Sequence, residues 1–127
     1  MKDRIRECLP EIEWIQNKDL QEKVVVTFED ALKMGGWEPE DMAKIPFTLL
    51  IKDCPASFLT HTRGVTRICK VSMDEYNALY KNEGGFQLDN DILIAAALLH
   101  DVGKLVEYER NTEGKVVKSK LGKDLRH

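Results

Sequence analysis

The sequence predicts a mainly α-helical fold with one small β-hairpin. Three observations carry this reading. Apolar residues recur at three- and four-residue steps along three long segments, which is the period of a helix with one buried face. Glycine pairs and prolines punctuate the chain between those segments. After Gly103 the pattern changes to two short stretches flanking Asn111-Thr112-Glu113-Gly114, a turn sequence with Gly where a left-handed residue is needed.

Residues 3–16 read as one or two short helical pieces, with Pro10 in the first turn of the second. Asp19 and Glu22 have capping-box spacing. Leu20, Val24, Phe28 and Leu32 follow at i+4 steps, so a helix is expected over 20–34, stopped by Gly35-Gly36. Residues 37–46 look irregular, between Pro39 and Pro46, and periodicity does not assign the apolar run Phe47 to Ile51. Asp53-Cys54-Pro55 marks the start of a helix over 55–80, with Phe58, His61/Thr62, Val65, Ile68/Cys69, Ser72/Met73, Tyr76 and Leu79/Tyr80 on its apolar face. Gly84-Gly85 ends it. Asp89 or Asn90 then caps a third helix through His100, whose Ala95–Ala97 run suits close approach of a neighbour. Residues 105–110 and 115–119 form the expected hairpin, and 121–126 the start of another helix.

Composition narrows the function. With 127 residues, 43% hydrophobic and 32% charged, the chain has an ordinary one-domain composition. The longest apolar run, Ile92 to Leu99, is far too short to span a membrane. The charged N-terminus lacks a signal-peptide pattern, and three unpaired-looking cysteines fit a reducing compartment, so a cytoplasmic location is expected, with no membrane partner. A net charge of −3 argues against general nucleic-acid binding. Its distribution is uneven: Lys115, Lys118, Lys120, Lys123 and Arg126 face only Asp124 near the C-terminus, a run that suits a solvated hairpin edge or attraction for phosphate.

Histidine occurs three times, at 61, 100 and 127. His61 lies on the expected inward face with Val65 and Ile68. His100 and Asp101 stand together near the end of the alanine-rich helix. A carboxylate there opposes the helix dipole, at about 0.3–1 kcal/mol, and costs more if buried unpaired. A divalent cation would relieve both penalties, since neutral imidazoles and a carboxylate are suitable ligands for Zn²⁺, Mn²⁺, Fe²⁺ or Co²⁺.

Leu98-Leu99-His100-Asp101-Val102-Gly103-Lys104 resembles the signature helix of the HD-domain superfamily of metal-dependent phosphohydrolases, and His61-Thr62-Arg63-Gly64-Val65 is similar to its first ligand helix. The resemblance covers residues 55–127 and implies an HD-domain-like helical core, with 1–54 as an N-terminal helical extension packing on it. It implies His61, His100 and Asp101 as metal ligands and His127 as a ligand of a second ion. One or two divalent ions (Mn, Fe, Co, Ni or Zn) would be the cofactor. Asp101 and Lys104 would be the catalytic residues, and a small phosphorylated compound, such as a nucleotide, the substrate. The superfamily's last Asp ligand lies well downstream of the His-Asp pair, and Asp124 is too close to match it. The expectation is therefore that 55–127 is the N-terminal part of a longer domain, whose cut edge would favour oligomerisation.

Other readings stand beside these. A non-catalytic HD-like domain would bind a nucleotide or a protein and keep a structural metal; a helical interaction domain with buried histidines would bind none. Lys104 suits a substrate phosphate or simply a helix C-terminus. Gly64 is expected to permit close helix approach and Cys69 to pack. Arg63 and Arg67 are expected in solvent or at the mouth of the site, Glu107 and Glu109 on the solvent face of the hairpin, and Trp14 and Trp37 in the core or at a partner contact.

Overall fold

The computed structural model describes residues 1–125; His127 lies outside the described residues. In chain order it contains α1 (Lys2–Cys8), a 3-10 turn (Pro10–Trp14), α2 (Lys18–Gly35), a second 3-10 turn (Pro39–Ala43), α3 (Phe58–Leu79), α4 (Asn90–Leu99), α5 (Lys104–Glu107), β1 (Tyr108–Arg110), β2 (Val116–Lys118) and α6 (Lys120–Asp124). The fold is mainly α with a single two-stranded antiparallel sheet among the described residues. No helix is long and apolar enough to cross a membrane.

Helix boundaries follow side-chain caps. The cap of α2 is Asn17, whose Oδ1 accepts from the Leu20 amide at 3.0 Å; the expected cap, Asp19, lies inside the helix and pairs with Lys23. An uncharged amide two residues earlier satisfies the same orphan donors. Gly36 ends α2 at φ 75°, a conformation that favours glycine. Ser57 caps α3 by accepting from the Thr60 amide, so the helix begins at Phe58, three residues beyond the expected start. Residues 47–56 instead form a loop with a closed neck, where the Phe47 amide donates to Ala56 O at 3.0 Å and the Phe58 amide to Ile45 O at 2.7 Å. Asp89 caps α4.

The hydrophobic core draws on nearly every element: Ile5 and Leu9 of α1, Ile12, Val24, Phe28 and Leu32, Phe58 at the start of α3, Ile94 and Leu98 of α4, and Leu105 and Tyr108. The buried stripe of α3 is Phe58, Thr62, Thr66 and Met73, narrower than expected, and Ile68, Val71 and Leu79 are exposed. Helix α4 packs most extensively on α3, through a surface that includes the buried Ala95 and Ala97. Gly64 plays no part in close approach, for a Cβ there would meet nothing within 4 Å. Tight packing occurs instead at Gly35 against Leu105 and at Gly122 against Glu107.

Polar contacts tie the N-terminal segment to α3 and α4. Buried Glu11 accepts from Arg63 Nε at 2.9 Å and stands 3.4 Å from Arg67 Nη1. These arginines therefore compensate a buried carboxylate, as burial of a charge demands. Asp91, at the start of α4, accepts from the Gln16 and Asn17 amides at 2.8 and 2.9 Å.

The hairpin is shorter than expected because residues 104–107 continue as helix α5. Tyr108 pairs with Lys118 and Arg110 with Val116, around a turn in which Gly114 has φ 80°. That helical turn buries Glu107, which was expected in solvent, whereas Glu109 is exposed. Trp37 is buried and donates from Nε1 to Leu105 O at 2.9 Å. Trp14 is partly buried, beneath the Arg67 guanidinium.

Candidate metal centre

His61 occupies the first turn of α3, where its amide donates to Ser57 O at 2.9 Å. His100 terminates α4, and Asp101 follows in a tight turn that links α4 to α5 through bonds from the Val102 amide to Leu99 O and from the Lys104 amide to Asp101 O. Packing of α3 on α4 brings these three side chains together. Asp101 Oδ2 lies 3.1 Å from His61 Nε2 and 3.0 Å from His100 Nε2, and the two imidazole nitrogens are 3.3 Å apart. The three groups are about a quarter to a third exposed, so the triangle is accessible from solvent.

Hydrogen bonding fixes the tautomer of His100. Its Nδ1 lies 2.6 Å from Ala97 O, a carbonyl that can only accept, so Nδ1 carries a proton. In the neutral ring Nε2 then presents a lone pair to Asp101 Oδ2, and two acceptors face each other at 3.0 Å. Either a proton on the ring or a metal ion between the atoms satisfies such a contact. Donors held by one ion at about 2.0–2.2 Å, in tetrahedral or octahedral geometry, lie about 2.8–3.6 Å apart, and the edges of this triangle fall in that range. A backbone carbonyl on the far nitrogen is also the usual outer support of a metal-ligating histidine. The residues present therefore fit a divalent cation. Among the described residues, His61, His100 and Asp101 are the only group of three or more such side chains with donor atoms clustered this closely.

Lys104 opens the single-turn helix α5, and its Nζ donates to the Phe47 carbonyl. The Phe47 ring stacks on His61, with centroids 4.7 Å apart and 17° between the planes. Phe47 is the contact that sequence reasoning missed. It sits in a run whose periodicity assigned nothing, and only the closed neck of the 47–56 loop delivers it to the site. Asp101 and Lys104 also line a neighbouring pocket with Thr48, Leu49, Leu50, Glu107, Tyr108 and Lys118. Burial, then the neighbouring Glu107 carboxylate, pushes the Tyr108 hydroxyl above its ordinary pKa.

No curated protein and no solved structure matches the chain. The profile of one family does: that of the HD domain, over residues 58–126. The matched stretch begins at the first residue of α3 and contains all three members of the triangle, the turn after α4 and the hairpin. Since it spans more than half of the sequence, the chain belongs to the HD domain family, whose members are mostly metal-dependent hydrolases.

Proposed function

We propose that this protein is a metal-dependent phosphohydrolase that cleaves a phosphate ester or anhydride of a small molecule. The observation that carries the reading is the His61–His100–Asp101 triangle, whose three donor atoms stand 3.0–3.3 Å from one another. Its three donors would hold a divalent ion, Mn, Fe, Co, Ni or Zn, through two imidazole nitrogens and one carboxylate oxygen. Bound there, the ion supplies a water acidified toward neutral pH and polarises a phosphoryl oxygen.

The chain's own residues prepare that chemistry. Ala97 O orients the His100 ring, and Phe47 orients that of His61. Asp101 contributes the negative charge that attracts a divalent ion to the triangle. Lys104, on the rim of the adjoining pocket, offers an ammonium group to phosphoryl oxygens, where charge grows as the ester bond breaks. To do so it exchanges the Phe47 carbonyl for the substrate.

Elemental mass spectrometry of protein purified without chelator, beside an Asp101→Ala variant, tests the reading. The wild type should carry near-stoichiometric metal and hydrolyse p-nitrophenyl phosphate, and the variant should lose both. Full turnover by the variant would overturn it.

A further inference from the structure

Beside the triangle the surface opens into a pocket of about 370 Å³. Thr48, Leu49 and Leu50 of the loop form one wall, and Tyr108 and Lys118 of the hairpin contribute another. The loop wall is anchored, because Leu49 packs on the core. Leu50, by contrast, is 96% exposed. Leu50 therefore leaves its apolar side chain available to an organic group in the pocket that it lines.

Charge gives the second clue. The pocket's two ammonium groups, Lys104 and Lys118, balance its two carboxylates, Asp101 and Glu107. Lys118 is half exposed, and its Nζ stands 3.9 Å from Glu107 Oε1, beyond hydrogen-bond length. Lys118 thus lines the pocket with a loose ion pair to Glu107. A divalent ion in the triangle would leave the lining with a surplus of two positive charges. A phosphate monoester carries about −1.5 to −2 at neutral pH, which matches that surplus; a diester carries half as much. The volume is at the small end of the ~300–1,000 Å³ typical of ligand pockets, with room for a phosphoryl group and a compact organic group.

Resting on the hydrolase reading above, we infer that this pocket is the substrate subsite for a small phosphate monoester with an apolar or aromatic group, Lys118 binding its phosphoryl oxygens and Leu50 covering its organic part.

Calorimetric titration of the metal-loaded protein with phenylphosphonate and methylphosphonate, which resist hydrolysis, tests this, with metal content measured in each sample. Phenylphosphonate should bind about tenfold more tightly than the methyl compound, as burial of a ring predicts. Lys118→Ala should weaken both by about tenfold or more, the loss of one charged hydrogen bond, and Lys118→Arg should restore most of it. Leu50→Ser should erase much of the preference for phenyl. Metal content should be the same in every variant. Undiminished binding by Lys118→Ala with metal retained would overturn the inference while leaving the hydrolase reading intact. Equal affinity for the two phosphonates, or binding of neither, would also overturn it. A wild type that takes up no metal would overturn the hydrolase reading, and with it the charge match on which the subsite rests.

Discussion

The Phe47 ring lies face to face on the His61 imidazole, 4.7 Å between centroids, while the carbonyl of the same residue accepts a hydrogen bond from Lys104. One loop residue thus touches both a candidate ligand and the candidate phosphate-binding cation. Its amide, donating to Ala56 O, also closes the neck of the loop. Loop, histidine and lysine are consequently positioned as a unit, although they are far apart in sequence.

Phe47→Ala removes the stacked face that keeps the His61 ring turned toward Asp101, yet leaves the backbone carbonyl in place. Outer supports of metal ligands are worth about 10–100-fold in affinity, so a loss of about tenfold is expected in a metal titration. Phe47→Trp retains an aromatic face and should bind metal nearly as the wild type does. Equal affinity in the alanine variant would show that the stack is incidental.

A pair of glycines tests where the fold is tight. A Cβ at Gly35 would stand 1.9 Å from Leu105 O and 2.5 Å from Trp37 Cδ1, so Gly35→Ala must push apart α2, the buried Trp37 and the start of α5. Overpacking of this kind should cost about 3 kcal/mol in urea unfolding. It should also weaken metal binding, because the chain segment displaced lies just after Asp101. Gly64→Ala meets no neighbour within 4 Å inside α3 and should gain up to about 1 kcal/mol from helix propensity. If both substitutions proved neutral, the packing described for α2 and α5 would be wrong.

The contrast between these glycines shows what the sequence can reveal. Helical periods, Gly36 and Gly114 at turns, and the residue pairs around His100 are local signals, and they locate the helices, the hairpin and the HD motif. Gly64 sits in the motif helix and looked like a contact point; only the placement of α3 shows it facing open space. Gly35, within a plain stop signal, is the close approach, because its neighbour Leu105 lies 70 positions later. The candidate site divides in the same way. His61, His100 and Asp101 are legible because their types and helical positions point to one chemistry. Phe47, Leu50 and Lys118 are not, since an irregular loop and a hairpin edge have no period that says which way a side chain turns. Glu11 and its arginines escaped for a similar reason: charged residues read as solvated until a partner element covers them.

Acid should weaken the attachment of α4 to the N-terminal segment. Backbone hydrogen bonds from Gln16, then Asn17, hold the Asp91 carboxyl below its ordinary pKa of 3.8. A carboxyl whose pKa is lower in the folded than in the unfolded chain binds fewer protons when folded in that range, so its stabilisation is fully present above the unfolded value. It is lost as the pH falls through the unfolded value toward and past the folded one. The urea midpoint should therefore decline below about pH 4. Asp91→Asn cannot titrate; it should be less stable than the wild type at pH 7 and lose less on acidification, so the two curves converge at low pH. Parallel curves would mean that the contacts to Gln16 and Asn17 are not linked to folding. Convergence would identify this junction, remote in sequence from His61, as one that helps seat the helix carrying His100.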